Sequence, residues 1–105
     1  MIFRRSRFAD TISRQLDLFA EEEAHGLLAE VQELDERYRN AERDETEEAY
    51  GDYADAVDAV IDALAEMRDR FAATLEKPLA EQYERAFEDA SRKRWRWLAR
   101  SAGSL

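Results

Sequence analysis

The residues of this chain that could do chemistry are few, and the most suggestive pair is Glu22 and His25. A glutamate and a histidine three positions apart lie on the same side of an α-helix, where both side chains can ligate one metal ion. His25 is the only histidine, and the sequence contains no cysteine. Thiolate metal sites, disulfides and cysteine nucleophiles are therefore excluded.

The spacing of Glu22 and His25 resembles the Glu-x-x-His motif of ferritin-like di-iron proteins. The resemblance implies a helical enzyme in which a second motif, or further chains, supply the remaining ligands. At 3.6 residues per turn, however, the pair lies opposite the apolar side that contains Leu27, Leu34 and Tyr38. We therefore predict a solvated pair and no cofactor, and we keep a ferritin-like iron-binding enzyme assembled from several chains as one alternative.

Cations alternate with aromatic rings near the C-terminal end of the sequence, in Arg94, Trp95, Arg96 and Trp97. Residues two positions apart on a continuous helix point about 200° away from each other, so both tryptophans cannot enter one core seam. The ring left outside is predicted either to stack on arginine stems or to bind a partner. This segment is the first candidate binding surface.

The net charge of −9 is unevenly distributed, because both ends of the sequence are basic and the middle is acidic. The overall negative charge argues against nucleic-acid binding, which needs a cationic surface. The basic N-terminal segment carries Phe3 and Phe8, so we assign it a partner-binding role as well. An anionic membrane surface is an alternative partner for these basic and aromatic ends. Apolar runs are too short for a membrane span or a signal peptide, so we predict a cytoplasmic protein.

The elements that must position these residues are helices, since apolar residues recur every three or four positions and Gly and Pro are rare. We predict one helical domain over residues 1–105, with helices at about 10–43, 45–76 and 78–100 and a frayed tail at 101–105. Gly26 marks a kink or a close contact in the first helix. Pro78 either separates the second and third helices or kinks one long arm.

The predicted fold is all-α, an antiparallel three-helix bundle with long helices, and the alternative is a helical hairpin whose second arm is kinked at Pro78. The second helix has a coiled-coil-like seam flanked by alanines, and so wide an apolar surface usually contacts two neighbours. We therefore predict a homo-oligomer that forms through this seam. Its self-association residues are Tyr53, Val57, Val60, Leu64, Met67 and Phe71.

Catalytic patterns are weak, because the sequence lacks a glycine-rich phosphate loop and a Gly-x-Ser-x-Gly motif. No small-molecule substrate is indicated. We predict a non-catalytic interaction or scaffolding protein, or an accessory subunit, which self-associates through its seams and engages a partner protein with its basic and aromatic termini. Peripheral membrane binding and the ferritin-like enzyme are the alternatives.

Overall fold

The computed structural model describes residues 7–100, and this part of the chain is all-α, which confirms the all-α part of the predicted fold class. It contains four α-helices and one short 3-10 segment. The helices are α1 (Ala9–Glu22), α2 (Leu27–Arg39), α3 (Thr46–Ala72) and α4 (Lys77–Arg94), and the 3-10 segment is Arg96–Arg100. Phe3 and the predicted tail at 101–105 lie outside the described residues.

The helix predicted over residues 10–43 is two helices in the structure, α1 and α2, separated by a turn at residues 23–26. Gly26 has φ −114° and ψ −111°, which is not helical. The Leu27 amide donates a hydrogen bond of 3.1 Å to the Glu23 carboxylate, so Glu23 caps the start of α2. The apolar spacing predicted one helix because it continues through the turn, whereas the backbone entropy of glycine and this cap favour a break.

The turn at residues 73–76 joins α3 to α4, and Pro78 lies in the first turn of α4, where a helix needs no amide donor. The rings of Phe71 and Tyr83 lie 4.7 Å apart between centroids. Further along, Arg68 Nη1 is 3.5 Å from Glu88 Oε2. These contacts show that α4 runs back along α3. Pro78 therefore separates two helices, and the alternative of one kinked arm is wrong.

The helices α2 and α3 form a second antiparallel hairpin at the other end of α3. Arg37 Nη2 on α2 lies 2.8 Å from Asp52 Oδ2 on α3. The first helix packs mainly on α4 and runs in the same direction, because Phe8 contacts Tyr83 early in α4 and Phe19 contacts Trp95 just after its end. Thus α2 and α4 both run antiparallel to α3, along different parts of it.

The core is centred on Tyr83, whose side chain is fully buried. Its ring contacts Phe8, Phe71 and Phe87 at centroid distances of 5.5, 4.7 and 5.8 Å. Its hydroxyl donates a hydrogen bond of 2.8 Å to Gln15 Oε1. Burial raises the pKa of the Tyr83 hydroxyl above its ordinary value. This one side chain therefore joins α1, α3 and α4.

Because α3 is longer than α4, the first part of α3 extends beyond the end of α4. The 27 residues of α3 span about 40 Å and the 18 residues of α4 about 27 Å. The contacts of Phe71 with Tyr83 and of Arg68 with Glu88, extended along two antiparallel helices, place Arg94 at the end of α4 near Ile61 of α3. The first part of α3 therefore pairs with α2 beyond the end of α4, which contributes to the elongated dimensions of 51 × 33 × 24 Å.

Within residues 7–100, no helix has both the length and the apolar character that crossing a bilayer requires.

Candidate functional site

The predicted metal pair, Glu22 and His25, lies on the surface at the turn between α1 and α2. Both side chains are exposed. Across residues 7–100, no three histidine, aspartate or glutamate side chains come close enough together to hold a metal ion. The structure therefore does not gather further ligands around this pair.

The basic and aromatic segment does not continue the helix as predicted. The helix α4 ends at Arg94, Trp95 has φ −123° and ψ 88°, and a 3-10 segment follows from Arg96. The prediction that Trp95 and Trp97 face opposite sides assumed a continuous helix, and the change in backbone direction removes that constraint. Both rings are half-buried and line the same groove.

Contacts with α1 hold this segment in place. The Trp95 ring meets Phe19 edge-on at a centroid distance of 5.7 Å. The Arg94 guanidinium lies 5.3 Å from the centre of the Trp95 ring, and its Nη1 donates a hydrogen bond of 2.6 Å to Asp17 Oδ1. Arg94 is therefore engaged within the chain, whereas the neighbouring Arg96 is exposed.

The remaining residues predicted to bind partners are placed differently from one another. Phe8 is buried at 9% exposure in edge-on contact with Tyr83, so it serves the core of this chain. Its burial also withdraws it from the predicted membrane-binding surface. Phe3 lies outside the described residues.

The predicted self-association seam is divided between the core and its margin. Val57, Val60 and Leu64 are at most 1% exposed within a single chain. Three others, Tyr53, Met67 and Phe71, are half-buried and pack against the core. Since a second copy cannot reach the first three without opening the fold, self-association through this seam is limited to the three half-buried residues.

A groove of about 790 Å³ runs between α2 and α3 and ends at the two tryptophans. It lies where α3 extends beyond α4, so no helix within residues 7–100 covers it. The lining residues on each helix recur every three or four positions, as expected for one side of a helix. We call this site the aromatic groove, and it is lined by Leu28, Val31, Gln32, Asp35, Tyr38, Arg39, Tyr50, Tyr53, Ala54, Val57, Asp58, Trp95 and Trp97.

Three tyrosines form a cluster at the end of the aromatic groove farthest from the tryptophans. The Tyr38 ring lies 5.3 Å from Tyr50 and 6.2 Å from Tyr53, and the last two are 6.5 Å apart. Tyr50 is 47% exposed, although it belongs to the regular apolar seam of α3. The sequence pattern did not identify this cluster as a surface site, because core and surface aromatic residues share the same spacing.

The hairpin that carries the aromatic groove is strongly acidic. Residues 27–62 contain thirteen acidic and three basic side chains, a net charge of −10, whereas the whole chain has a net charge of −9. Two of the basic side chains are engaged locally, since Arg37 pairs with Asp52 and Arg39 pairs with Asp35. The rim of the groove therefore lies in a negative electrostatic field.

No family model, curated protein or solved structure matches this chain significantly. The aromatic groove combines an apolar floor, five aromatic rings and an acidic rim. Large aromatic side chains with a polar end are the residues that dominate the binding energy of protein interfaces. The arrangement is suited to holding an apolar segment with polar edges.

Proposed function

We propose that this chain is a non-catalytic protein-interaction module that binds a partner protein in the aromatic groove. One observation carries the proposal: the amphipathic hairpin of α2 and α3 extends beyond the end of α4 and leaves aromatic side chains accessible. Buried in an interface, such rings would provide large contact areas at a low cost in side-chain entropy.

The two tryptophans keep the binding role predicted from the sequence, but in a different setting. The groove assigns Trp95 and Trp97 to one wall of a cleft, instead of to an isolated basic terminus. Trp95 is anchored on Phe19, so this wall is largely formed before a partner arrives. A preformed wall lowers the ordering cost of binding.

We also propose that the chain self-associates, through a surface other than the aromatic groove. A bundle that forms a homo-oligomer would use the half-buried part of the seam, Met67 and Phe71, near the turn between α3 and α4. Light scattering after size exclusion tests it. A monomer at all concentrations would remove the oligomer and leave the groove as the binding surface.

Site-specific photo-crosslinking in cells tests the binding proposal. A photoreactive amino acid at Tyr53, in the groove, should crosslink one identifiable partner protein. The same group at Glu81, which is exposed on α4 and outside the groove, is the control. Replacing Trp97 by alanine should remove most of the crosslink at position 53 while leaving the circular dichroism spectrum unchanged. Equal crosslinking at positions 53 and 81, or none at either, would contradict the proposal.

A further inference from the structure

We infer that the segment which occupies the aromatic groove is a positively charged amphipathic helix of a partner protein, an inference that rests on the proposed function. The shape of the groove supplies the first argument. Leu28 and Tyr38 on α2 and Tyr53 on α3 are half-buried along the groove, so the accessible apolar surface lies on two neighbouring helices. Along the second part of α3, the helix α4 packs against α3. A third helix therefore has the shape that this site accepts.

The length of the groove sets the size of that helix. On α2 the lining extends from Leu28 to Arg39, which corresponds to roughly 17 Å along the helix axis. A helix of about 12 residues spans this distance. Such a helix would place apolar residues at positions i, i+3, i+4 and i+7 against the floor, which is the usual pattern of helix recognition in a groove.

Charge supplies the second argument, because the hairpin of residues 27–62 has a net charge of −10. Asp58 is exposed at the rim on α3, whereas Asp35 on α2 is already paired with Arg39. An incoming helix with lysine or arginine beside its apolar stripe would meet the Asp58 carboxylate on one side and the negative field of the whole hairpin. An acidic helix would be repelled by the same field.

A second copy of this chain is a poor source of that helix. The most basic amphipathic segment of the described residues is the last part of α4, and its apolar side is already used within the chain. Phe87 and Ser91 on α4 are fully buried, and Leu98 in the 3-10 segment that follows is 3% exposed. Offering this segment to another copy would require unfolding the core. The occupant is therefore a different protein.

The probe for this inference is a pair of synthetic peptides without tryptophan. Both have about 14 residues and the same leucine pattern, and their remaining positions are lysine in one and glutamate in the other. Trp95 and Trp97 are the only tryptophans, so their fluorescence reports occupation of the groove. The lysine peptide should bind at least about tenfold more tightly than the glutamate peptide, and added salt should weaken its binding.

Two variants of equal charge separate groove binding from general attraction to an acidic protein. Asp58→Lys changes the rim, whereas Asp62→Lys changes an exposed position on the same helix outside the groove. Asp58→Lys should weaken the lysine peptide by about tenfold, and Asp62→Lys by no more than about twofold. Equal losses in the two variants would overturn the inference, as would equal binding of both peptides.

The crosslinking experiment at Tyr53 then distinguishes a failure of this inference from a failure of the proposed function. A partner that places a basic amphipathic helix at the groove supports both. A partner that places an acidic or non-helical segment there overturns this inference and leaves the proposed function standing. A crosslink only to a second copy of the chain overturns the inference in favour of self-association.

Discussion

The two ends of α3 carry the same kind of apolar seam but have different surroundings. In its second part, which we call the closed half (residues 60–72), the seam packs against α4: Leu64 is fully buried, and Met67 and Phe71 are half-buried. In its first part, the open half (residues 46–59), Val57 is still buried, but Tyr53 is half-buried and Tyr50, nearest the start of the helix, is 47% exposed. Periodicity thus identifies which side of a helix is apolar, whereas the length of the neighbouring helix decides how much of it is covered.

The position at which α4 ends therefore creates the candidate site. The amide of Trp95 still donates a hydrogen bond of 2.9 Å to the Ser91 carbonyl, and the backbone then leaves the α-helical region. The α-helix stops at Arg94, and its two following rings turn toward the groove.

The free energy of unfolding should differ most between the two halves when a large side chain is replaced by alanine. Leu64→Ala removes a fully buried side chain of the closed half, so it should lower the free energy of unfolding by about 2–5 kcal/mol. Tyr50→Ala in the open half should lower it by less than about 1 kcal/mol, because much of that ring is already in water. Urea denaturation followed by circular dichroism measures both. Similar losses in the two variants would contradict the division of α3 into halves.

Native-state hydrogen exchange should reveal the same division without any mutation. Amides in α2 and the open half should exchange through local opening, at least about a hundredfold faster than amides in the closed half, which corresponds to roughly 2.7 kcal/mol. The reason is that two helices bury less apolar surface per residue than three. Uniform protection along α3 would mean that the hairpin opens only together with the core.

The sequence was informative where a pattern is local and repeated. The all-α class and the presence of a turn before Pro78 follow from helical spacing and from the missing amide of proline. The break before α2 was signalled only by Gly26, since the apolar spacing continues through it. Its cap, the Glu23 carboxylate on the Leu27 amide, depends on a side-chain conformation that no spacing rule specifies.

The candidate site could be predicted only in part, because it depends on distances between helices. Trp95 and Trp97 stood out by composition, but their shared orientation follows from the helix end at Arg94. Tyr38 and Tyr50 were indistinguishable from core residues, since each continues an apolar seam. A comparison of helix lengths would have been the useful signal, because a helix of about 40 Å outreaches a partner of about 27 Å.

Tyr83→Phe tests how much the hydrogen bond of the buried Tyr83, which packs on Phe71 of the closed half, contributes to stability. Removing the hydroxyl that donates to Gln15 should lower the free energy of unfolding by about 1 kcal/mol at pH 7. Burial raises the pKa of Tyr83 above 10.0, so its neutral form is favoured in the folded state. The resulting stability is present below the unfolded pKa of about 10 and is lost as the pH rises through the folded value. Above pH 10 the wild type should therefore lose stability more steeply than Tyr83→Phe in urea titrations at successive pH values.

The smallest predicted effect is a gain in stability, and it concerns Ser91 in α4. This side chain is fully buried, and its hydroxyl has no hydrogen-bond partner within residues 7–100. Alanine is a better helix former and has no polar atom to desolvate, so Ser91→Ala should raise the free energy of unfolding by about 0.5–1 kcal/mol.

Ser13→Ala is the matched control, because Ser13 is exposed on α1 and pays no comparable desolvation cost. Both variants share the gain in helix propensity, so the difference between their urea midpoints isolates the buried hydroxyl. A loss of stability in Ser91→Ala would mean that this hydroxyl is hydrogen-bonded in solution. The packing of α4 against the closed half would then include a buried polar contact in addition to the apolar and aromatic ones.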